Sequence, residues 1–580
     1  MFQSQLRFFV ANQRRWFRAS EIALILLAVA VGLCAGVLTN IQSATAHAMH
    51  SLFYGVRINR LSALVSIHHP LRLLALPLGG VILGVMTYAM PRRKHAPIDV
   101  VEANALHGGR IPLYDSLLVS AQTLISNGTG ASVGLEAAYA QLGGGMASVI
   151  GQWVKLRRND LRTLVGAGAG AAVGAAFGAP LTGTFYAFEI VIGTYTPAAI
   201  APVAAAALAA TLVTRGLGVE PYLIASQNSL PITTVDYSLF AALGLICAGI
   251  GISIMRLVTW TERQVKRSFI PAYLQPLVGG LLLIPIAWTS PQSLSAGHGA
   301  LRLDLVLHLS LQFLTAILAL KIAASIISLS FGFRGGLFFA ALFLGSLVGQ
   351  IFAELVNMAY GAVLIDPNNA ALVGMAALAV SIVGGPMTLS LLVLEVTHDF
   401  ALTGTVITAA LCASALTRAQ FGYSFSTWRL HVRGANIRSA RDIGWVKSLT
   451  AERMMRRLPM TVPETMSIAE FREHVPLGST SRVILSGPDH NYCGIVTTAA
   501  AYASELDSDA PITTLAHLVD HVLTPEMAVD DVLRAFEDAE ADDLAVVNAS
   551  HQILGILTEK HVHRRYLEES EKSQRAVFGE

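Results

Sequence analysis

Apolar segments recur along the chain from about residue 22 to residue 418, and most contain few charged side chains. A helix that spans the hydrocarbon core of a bilayer needs about 20 predominantly apolar residues. Several segments are shorter than this or contain Gly and Pro, as in 114–126, 181–194 and 275–289. Short and interrupted segments are typical of membrane proteins whose helices end inside the bilayer and face a site. The pattern therefore predicts an all-α, polytopic membrane region.

The chain changes character after about residue 435. Residues 1–450 contain 29 basic and 16 acidic side chains, whereas residues 451–580 contain 11 basic and 22 acidic ones in less than a third of that length. The whole chain is 53% hydrophobic, with a mean hydropathy of +0.56. These differences indicate a bilayer environment followed by an aqueous one. The positive-inside rule explains a basic membrane region, and such a region also favours anions in its vestibules.

A secretory signal is an alternative explanation of the first apolar run, 22–38. Four Arg residues precede this run and ATAHA follows it like a cleavage site. Because many apolar segments follow, we predict a retained first helix, a cytoplasmic N-terminus and a multi-pass protein of the cell (inner) membrane. The four cysteines are scattered and predict neither disulfides nor a metal site.

Two sequence motifs occur twice in the apolar region. GAPLTGTFYAFEIV (178–191) matches GGPMTLSLLVLEVT (384–397) at an offset of 206 residues, and VGLEAAYAQLG (133–143) matches GGLFFAALFLG (335–345) at an offset of 202. The same order at nearly the same offset indicates a duplicated half. With an odd number of crossings per half, the two copies would be inverted in the membrane.

Glu136 stands alone at the start of an apolar helical segment. A carboxylate inside a membrane is costly and is by default a functional candidate. Small residues surround it, so the backbone N–H groups of the helix start are accessible, and such groups form an anion site. A carboxylate there competes with the anion. The neighbouring GASVG (130–134) also fits the G-x-S-x-G nucleophile pattern of hydrolases. That chemistry needs a strand before the Ser, and the flanking segments here are predicted to be helical, so we reject a hydrolase.

The Glu136 motif resembles the gating motif of the CLC family of chloride channels and transporters, Gly-Lys/Arg-Glu-Gly-Pro. The chain reads GLEAA over 134–138, so it keeps Gly134 and the Glu but lacks the basic residue and the Gly-Pro pair. The resemblance covers residues 1–435 as the anion-transport domain. It implies two inverted-repeat halves with broken helices, a gate at Glu136, and a homodimer with one pore per subunit.

The family's second motif, Gly-x-Phe-x-Pro, resembles GLFFA over 336–340. The resemblance places Gly336 in the anion pathway together with Gly134. It also places Phe338 at the aromatic position of the pore, where the family's backbone amide helps to bind the central anion. The Pro of the motif is replaced by Ala340.

Two further pathway positions follow from the resemblance. The family's Gly-Ser-Gly-Ile-Pro aligns best with KHAPI (94–98), which puts His95 where the family has an anion-binding Ser; a shift of one residue would put Ala96 there. A His can donate a hydrogen bond and, when protonated, adds a positive charge. The family's inner Tyr aligns with Ser426, and the loss of the ring predicts a wider inner constriction.

Proton-coupled exchangers of the family carry a second, inner Glu directly after a conserved one. In this chain Glu189 takes the first position and Ile190 takes the second. An aliphatic side chain cannot relay a proton, and family channels also have an uncharged residue there. The inner proton site therefore favours a channel.

The tail, 448–580, contains a second repeat and resembles a pair of CBS domains, at about 448–508 and 512–570. Each copy predicts helix, strand, helix, strand, strand, helix, with Gly494 and Gly555 at equivalent strand ends. CBS pairs often bind adenine nucleotides through an Asp three residues after a Thr. Ala500 and His561 take those positions here, so we expect weak nucleotide binding at most and no other cofactor.

These observations favour a passive, voltage- or pH-gated channel for chloride or other small monovalent anions. A proton-coupled chloride exchanger that uses another carboxylate, such as Glu189, is the first alternative. A CBS-based sensor with vestigial transport is the second. We expect a lipid bilayer and an identical subunit as partners and no nucleic acid. The sequence shows no HExxH motif, Walker loop or metal cluster that would favour an enzyme.

Overall fold

The apolar and the polar parts of the chain fold as two separate units. The computed structural model describes residues 20–56, 61–64, 66–67, 69–89, 97–218, 232–307, 309–432, 449–457, 459–504, 506–566 and 568. Described residues up to 432 belong to the first unit and those from 449 onward belong to the second.

The first half of the membrane unit contains eight helices among its described residues. They are α1 (Glu21–Tyr54), α2 (Ala75–Ala89), α3 (Val100–Leu106), α4 (Leu113–Gly128), α5 (Glu136–Val154), α6 (Arg158–Phe177), α7 (Pro180–Tyr186) and α8 (Pro197–Gly216). A π-helical turn, Ala187–Ile192, continues α7.

The second half repeats this order. Its helices are α9 (Thr234–Arg267), α10 (Gln275–Thr289), α11 (His298–Asp304), α12 (Leu311–Ser330), α13 (Phe338–Tyr360), α14 (Pro367–Val383), α15 (Pro386–Thr397) and α16 (Phe400–Gln420). The first three have the same lengths as their counterparts: 34, 15 and 7 residues. A last helix, α17 (Phe425–Val432), follows. The duplicated half is therefore a repeat of helices.

Some helices begin at a capping side chain, and some, such as α1, α6 and α13, end at a Gly. Ser310, Asp366 and Asp399 each accept a backbone N–H from the first turn of α12, α14 and α16. Seven of the described helical segments are long and apolar enough to cross a membrane. Others, such as α3 and α11, are too short to do so. The protein thus combines spanning and broken helices, as the short segments predicted.

Small residues allow close helix contacts in this unit. Gly170 of α6 lies against Gly183 of α7, and a Cβ atom built on Gly170 would lie 2.3 Å from the Gly183 carbonyl oxygen. No other residue fits there without moving the backbone. A membrane offers no hydrophobic driving force between helices, so this close packing contributes to their association.

Among its described residues, the tail contains two three-stranded sheets of the same topology. The first has the order β1 (Thr461–Pro463), β2 (Arg482–Ser486), β3 (Tyr492–Thr497), and the second has the order β4 (Val522–Leu523), β5 (Asp543–Val547), β6 (Ile553–Thr558). In each sheet the first pair is parallel, the second pair is antiparallel, and the register shifts at the same place. The helices are α18 (Ala451–Met454), α19 (Ile468–His474), α20 (Thr498–Ala501), α21 (Val529–Ala539) and 559–566.

This architecture confirms the predicted α/β tandem repeat, with two differences. Gly494 and Gly555 are equivalent, but each is the third residue of its strand and does not mark the strand end. The opening segment of the tail also packs away from its own copy: Ala451 and Met454 lie in the same core as the second copy's Val532 and Phe536. The opening of the second copy, with Ile512, packs instead in the core of the first.

Candidate functional site

The two copies of one repeated motif, 133–143 and 335–345, contact each other. The loop before α5 and the loop before α13 pair through two backbone hydrogen bonds, from Gly134 N–H to the Gly336 carbonyl (2.9 Å) and from Gly336 N–H to the Gly134 carbonyl (3.3 Å). Residues 202 positions apart thus form a small antiparallel bridge. The N-termini of α5 and α13 begin two residues beyond it, with Glu136 and Phe338 as their first residues.

Glu136 is almost completely buried, with 2% of its surface exposed. Among the described residues, no group forms a hydrogen bond with either carboxylate oxygen. The backbone N–H groups of Glu136 and Phe339 nevertheless lie close enough to interact with it electrostatically. One oxygen, Oε2, lies against Gly134, where an added Cβ would be only 2.0 Å away. The carboxylate therefore lies at the N-terminus of α5, where backbone N–H groups favour a negative charge.

A small cavity of about 50 Å³ adjoins this carboxylate, and we call it the Glu136 cavity. It is lined by Ser43, Ala46, His47, His50, Leu61, Ser62, Asn127, Leu135, Glu136, Tyr139, Ala176, Phe177, Ser295 and His298. His50 bonds the Asn127 carbonyl through Nε2 (2.9 Å), so Nε2 must be the donor. The space is large enough for a water molecule or a small ion beside Glu136.

A buried lysine stabilises one wall of the Glu136 cavity. Lys321 of α12 is fully buried and donates hydrogen bonds to the carbonyls of Ser293 (3.2 Å) and Ser295 (2.7 Å). The Ser295 hydroxyl in turn accepts a bond from Asn127 Nδ2 (3.1 Å). We did not predict this role from the sequence, although a single Lys in the apolar run 311–330 was a usable signal.

Phe338 lies in an aromatic cluster at the start of α13. It is 4% exposed, and its ring centroid lies 5.5 Å from that of Phe177 and 6.1 Å from that of Tyr186. Tyr186, on α7, comes from the repeated segment 178–191 and was not predicted as a site residue. The cluster fixes the ring of Phe338 beside the bridge between the two loops.

A second cavity, of about 100 Å³, adjoins Gly336, and we call it the Arg334 cavity. It is lined by Pro97, Asp99, Val119, Thr123, Ala137, Arg334, Gly335, Gly336, Phe425, Ser426, Arg429 and Leu430. The structure thus places Ser426 beside Gly336. It also places Phe425 in the same wall, so an aromatic ring is present where Ser426 alone predicted none.

Comparisons with known proteins identify the family. The family described as "Voltage gated chloride channel" matches residues 79–418, which is more than half of the chain. The chain belongs to the CLC family.

Relatives of this CLC chain include plant and bacterial proteins. "Chloride channel protein CLC-f" of Arabidopsis thaliana is 27% identical over 419 residues, covering 66% of this chain. The chain spans about half (52%) of the length of that relative. "Voltage-gated ClC-type chloride channel ClcB" of Citrobacter koseri is 27% identical over 356 residues, covering 60% of this chain and 84% of its own.

Among solved structures, a slow cyanobacterial Cl⁻/H⁺ antiporter aligns with a TM-score of 0.61 and 22% identity. The alignment covers 71% of this chain and 98% of that one. At 22% identity, this similarity establishes that the two proteins share a fold and nothing further. The predicted membrane fold is confirmed, and the chain is a multi-span CLC anion-transport protein.

Glu189 of the CLC chain has a structural partner. Its Oε2 accepts hydrogen bonds from the backbone N–H (2.8 Å) and the hydroxyl (2.7 Å) of Thr388, and its Oε1 accepts the N–H of Met387 (3.2 Å). These groups form the first turn of α15. Ile190 is partly buried against the hydrophobic core. The geometry gives Glu189 the role of a helix cap, which uses both of its oxygens.

The repeat partner of Glu189 makes the same contacts in return. Glu395, 206 residues later, accepts the N–H groups of Leu181 and Thr182 (both 2.8 Å) and the Thr182 hydroxyl (2.7 Å) at the start of α7. Since the last part of each segment caps the beginning of the other, α7 and α15 lie antiparallel. The two copies are therefore inverted, as predicted.

One predicted pathway residue cannot be placed. His95, together with Ala96, lies outside the described residues, so its position as an anion ligand stays a prediction. The next described residues, Pro97 and Asp99, line the Arg334 cavity.

Proposed function

We propose that this CLC protein is a passive channel for chloride or other small monovalent anions, with Glu136 as its gate. The observation that carries the proposal is the buried carboxylate of Glu136, which has no hydrogen-bond partner among the described residues and lies at the N-terminus of α5. A buried charge that has no counter-charge and only nearby backbone N–H groups to stabilise it is costly. An arrangement in which an anion replaces the carboxylate at the helix start, or a proton neutralises it, removes that cost.

The residues at the two positions of the family's inner proton site support passive rather than coupled transport. Ile190 cannot hold a proton, and the carboxylate of Glu189 is engaged by Met387 and Thr388. Moving Glu189 into a relay would leave the first backbone N–H groups of α15 unsatisfied, which is unfavourable in a membrane. Glu136 alone can carry a proton only between its own side and the centre.

Coupled exchange of anions for protons is the second candidate, because the similar cyanobacterial structure is described as a Cl⁻/H⁺ antiporter. The two candidates differ in one measurement. Purified protein in sealed liposomes should release chloride down its gradient and move few or no protons against theirs. Reproducible uphill proton pumping with a fixed chloride-to-proton ratio would refute the channel and establish the exchanger.

The assembly and topology that we propose follow the same family. The protein forms a homodimer with one pathway per subunit in the cell (inner) membrane, with the N-terminus and the tail on the cytoplasmic side. Cross-linking in membranes and protease protection of the tail in oriented vesicles test these two statements separately.

The tail modulates transport, in our proposal, and binds adenine nucleotide weakly at most. A cavity of about 450 Å³ lies between its two sheets, with Arg482 and His561 in its wall. Arg482 is bonded to Asp543 (2.9 Å) and is therefore partly neutralised. Partial burial, with Arg564 and Arg565 nearby, lowers the pKa of His561, which therefore offers no positive charge at neutral pH.

A further inference from the structure

An apolar groove lies between α9 and α12, and we call it the α9–α12 groove. Its volume is about 370 Å³, and it is lined by six residues within 246–257 of α9 and by Ile322 and Ile326 of α12. Both helices are long and apolar enough to cross a membrane. Among these lining residues only Ser253 has a polar side chain, and its hydroxyl donates to the Gly249 carbonyl of its own helix (2.8 Å). The groove therefore offers an almost entirely apolar surface.

The length of the groove corresponds to one leaflet of a bilayer. From residue 246 to residue 257 an α-helix rises about 16 Å. Half of the hydrocarbon core of a bilayer is ~15 Å thick. The space beside α9 is open, since a Cβ atom built on Gly249 would meet nothing within 4 Å. These dimensions fit one extended acyl chain.

One edge of the groove continues along α9 as a line of exposed residues with alternating spacings of four and three, which we call the arginine stripe. Residues at these spacings lie on one face of a helix. The stripe consists of Gly249, Ser253, Arg256, Trp260, Arg263 and Arg267, all of them exposed. Its first two residues line the groove, and the others lead to the end of α9. An apolar surface and a row of cations are thus continuous on one helix face.

The positive charge of the arginine stripe is not neutralised by a neighbouring acid. Within the part of the chain that the structure describes, the three guanidinium groups form no ion pair or hydrogen bond. That of Arg256 lies over the ring of Phe421, 5.6 Å from the centroid. The acid of the same region, Glu262, lies off the stripe and pairs with Lys266 (2.8 Å). The stripe therefore presents a net positive charge to its surroundings.

The position of the stripe along α9 matches the edge of a membrane. Trp260 is 61% exposed and lies just beyond the apolar part of the helix, where interfacial Trp residues are enriched. α9 is the inverted counterpart of α1, so the cytoplasmic N-terminus that we propose for α1 puts the end of α9 on the cytoplasmic side. The positive-inside rule accounts for basic residues there, but not for their alignment with an apolar groove.

We propose that the α9–α12 groove and the arginine stripe together bind one anionic phospholipid. An acyl chain lies in the groove, Trp260 lies at the level of the glycerol, and the phosphate of the head group lies beside Arg263 and Arg267. A basic residue near an anionic lipid surface strengthens binding about fivefold, so these two arginines should contribute about tenfold or more. The site is separate from the anion pathway, so the inference does not depend on the proposed transport; its assignment to the cytoplasmic leaflet rests on the proposed topology.

The test of the head group titrates the full-length protein in detergent with phosphatidylglycerol or with phosphatidylcholine of the same acyl chains, and native mass spectrometry counts the bound lipids. Wild-type protein should bind one phosphatidylglycerol per subunit about tenfold or more tightly than phosphatidylcholine. The double variant Arg263→Gln/Arg267→Gln should lose most of this preference. Arg215→Gln should keep it, because Arg215 is exposed at the end of α8 and is not part of the stripe.

The test of the groove uses Ser253→Phe, whose ring would occupy the space of the acyl chain. Both lipids should bind about tenfold more weakly to this variant, since blocking even two CH₂ groups has an effect of that size. Thr315→Phe is the matched control. Thr315 is also exposed, and its hydroxyl also bonds to its own helix, at the Leu311 carbonyl (3.0 Å), but it does not line the groove.

Equal affinities of wild-type protein for the two lipids would overturn the inference. A preference that survives in Arg263→Gln/Arg267→Gln would overturn it as well. Equal binding by Ser253→Phe and Thr315→Phe would remove the groove from the site, and dissociation of the proposed dimer by Ser253→Phe alone would assign the groove to a second subunit instead. If the variants do not fold, the wild type decides, because its preference for phosphatidylglycerol should shrink as ionic strength rises and a constant preference would contradict us.

Discussion

Two pairs of repeat-related helices behave in opposite ways. In α7 and α15 the repeated Glu189 and Glu395 make the same bonds, each to the start of the other helix. In α5 and α13 the equivalent first residues are Glu136 and Phe338, one charged and one aromatic. Where the two copies have the same residue, that residue has a structural role as a helix cap. Where the copies diverged, one helix start carries a buried carboxylate with no hydrogen-bond partner among the described residues.

The largest expected effect breaks the symmetric pair. Glu189→Ala should destabilise the protein by about 3 kcal/mol, because three hydrogen bonds accepted by one carboxylate are lost and the N-terminus of α15 stays unsatisfied. Glu395→Ala should cost the same within about 1 kcal/mol. Thermal unfolding in detergent measures both. A large loss in one variant and none in the other would show that the pair is not equivalent.

The next prediction concerns the diverged pair. Wild-type flux should rise as external pH falls, because a protonated Glu136 no longer competes with the anion. Glu136→Gln should be about tenfold faster than wild type near neutral pH and nearly independent of external pH. The variant should unfold no earlier than wild type, since the side chain has no hydrogen bond to lose among the described residues. Unchanged flux and an unchanged pH response would remove Glu136 from the gate.

A smaller effect should follow from moving the carboxylate without removing it. In Gly134→Ala the new methyl group would meet Glu136 Oε2 at 2.0 Å, and the flexible carboxylate must give way. We expect roughly a threefold increase in flux near neutral pH, with the pH response kept. Gly249→Ala is the matched control, because a Cβ there meets nothing within 4 Å. Equal flux in both variants would contradict the contact.

The smallest effect concerns the tail, which contains neither of the two helix pairs. Calorimetry of the full-length protein with ATP should show no binding at micromolar concentrations, because Ala500 and His561 replace the acidic ribose ligands. Micromolar ATP binding would contradict this expectation.

The tail should also be dispensable for transport itself. Removing residues 440–580 should leave anion flux measurable, since Gly134, Gly336 and Ser426 precede them. A folded, dimeric truncated protein without anion flux would contradict this expectation.

The sequence was sufficient to predict the architecture. The offsets of 202 and 206 residues predicted which helices are related, and the change in charge after residue 435 predicted the α/β tail. Repeat offsets and changes in composition can be read from the order of residues along the chain, without knowledge of contacts between distant residues. The predicted positions of Glu136, Gly134, Gly336, Phe338 and Ser426 also come together in space, around the two loops.

Contacts between distant parts of the chain were not predictable in this way. Lys321 bonds a loop more than 20 residues away, and Arg334 shares a cavity with Arg429. The coincidence of Glu189 and Glu395 in the repeat was visible in the sequence, but their reciprocal caps depend on how α7 and α15 pack. The exchange of opening segments in the tail was not predictable for the same reason. The two segments have similar hydrophobic patterns, so the pattern alone does not show in which of the two cores each one packs.

The bridge between Gly134 and Gly336 has a consequence for the ancestry of the protein. A pair of hydrogen bonds exchanged between equivalent residues is what two identical polypeptides form across a twofold axis. The reciprocal Glu caps have the same property. An ancestral gene that encoded one half could therefore have produced a self-complementary dimer with both contacts already present. Fusion of two identical halves would place the same residue at both helix starts, whereas this chain has Glu136 at one and Phe338 at the other.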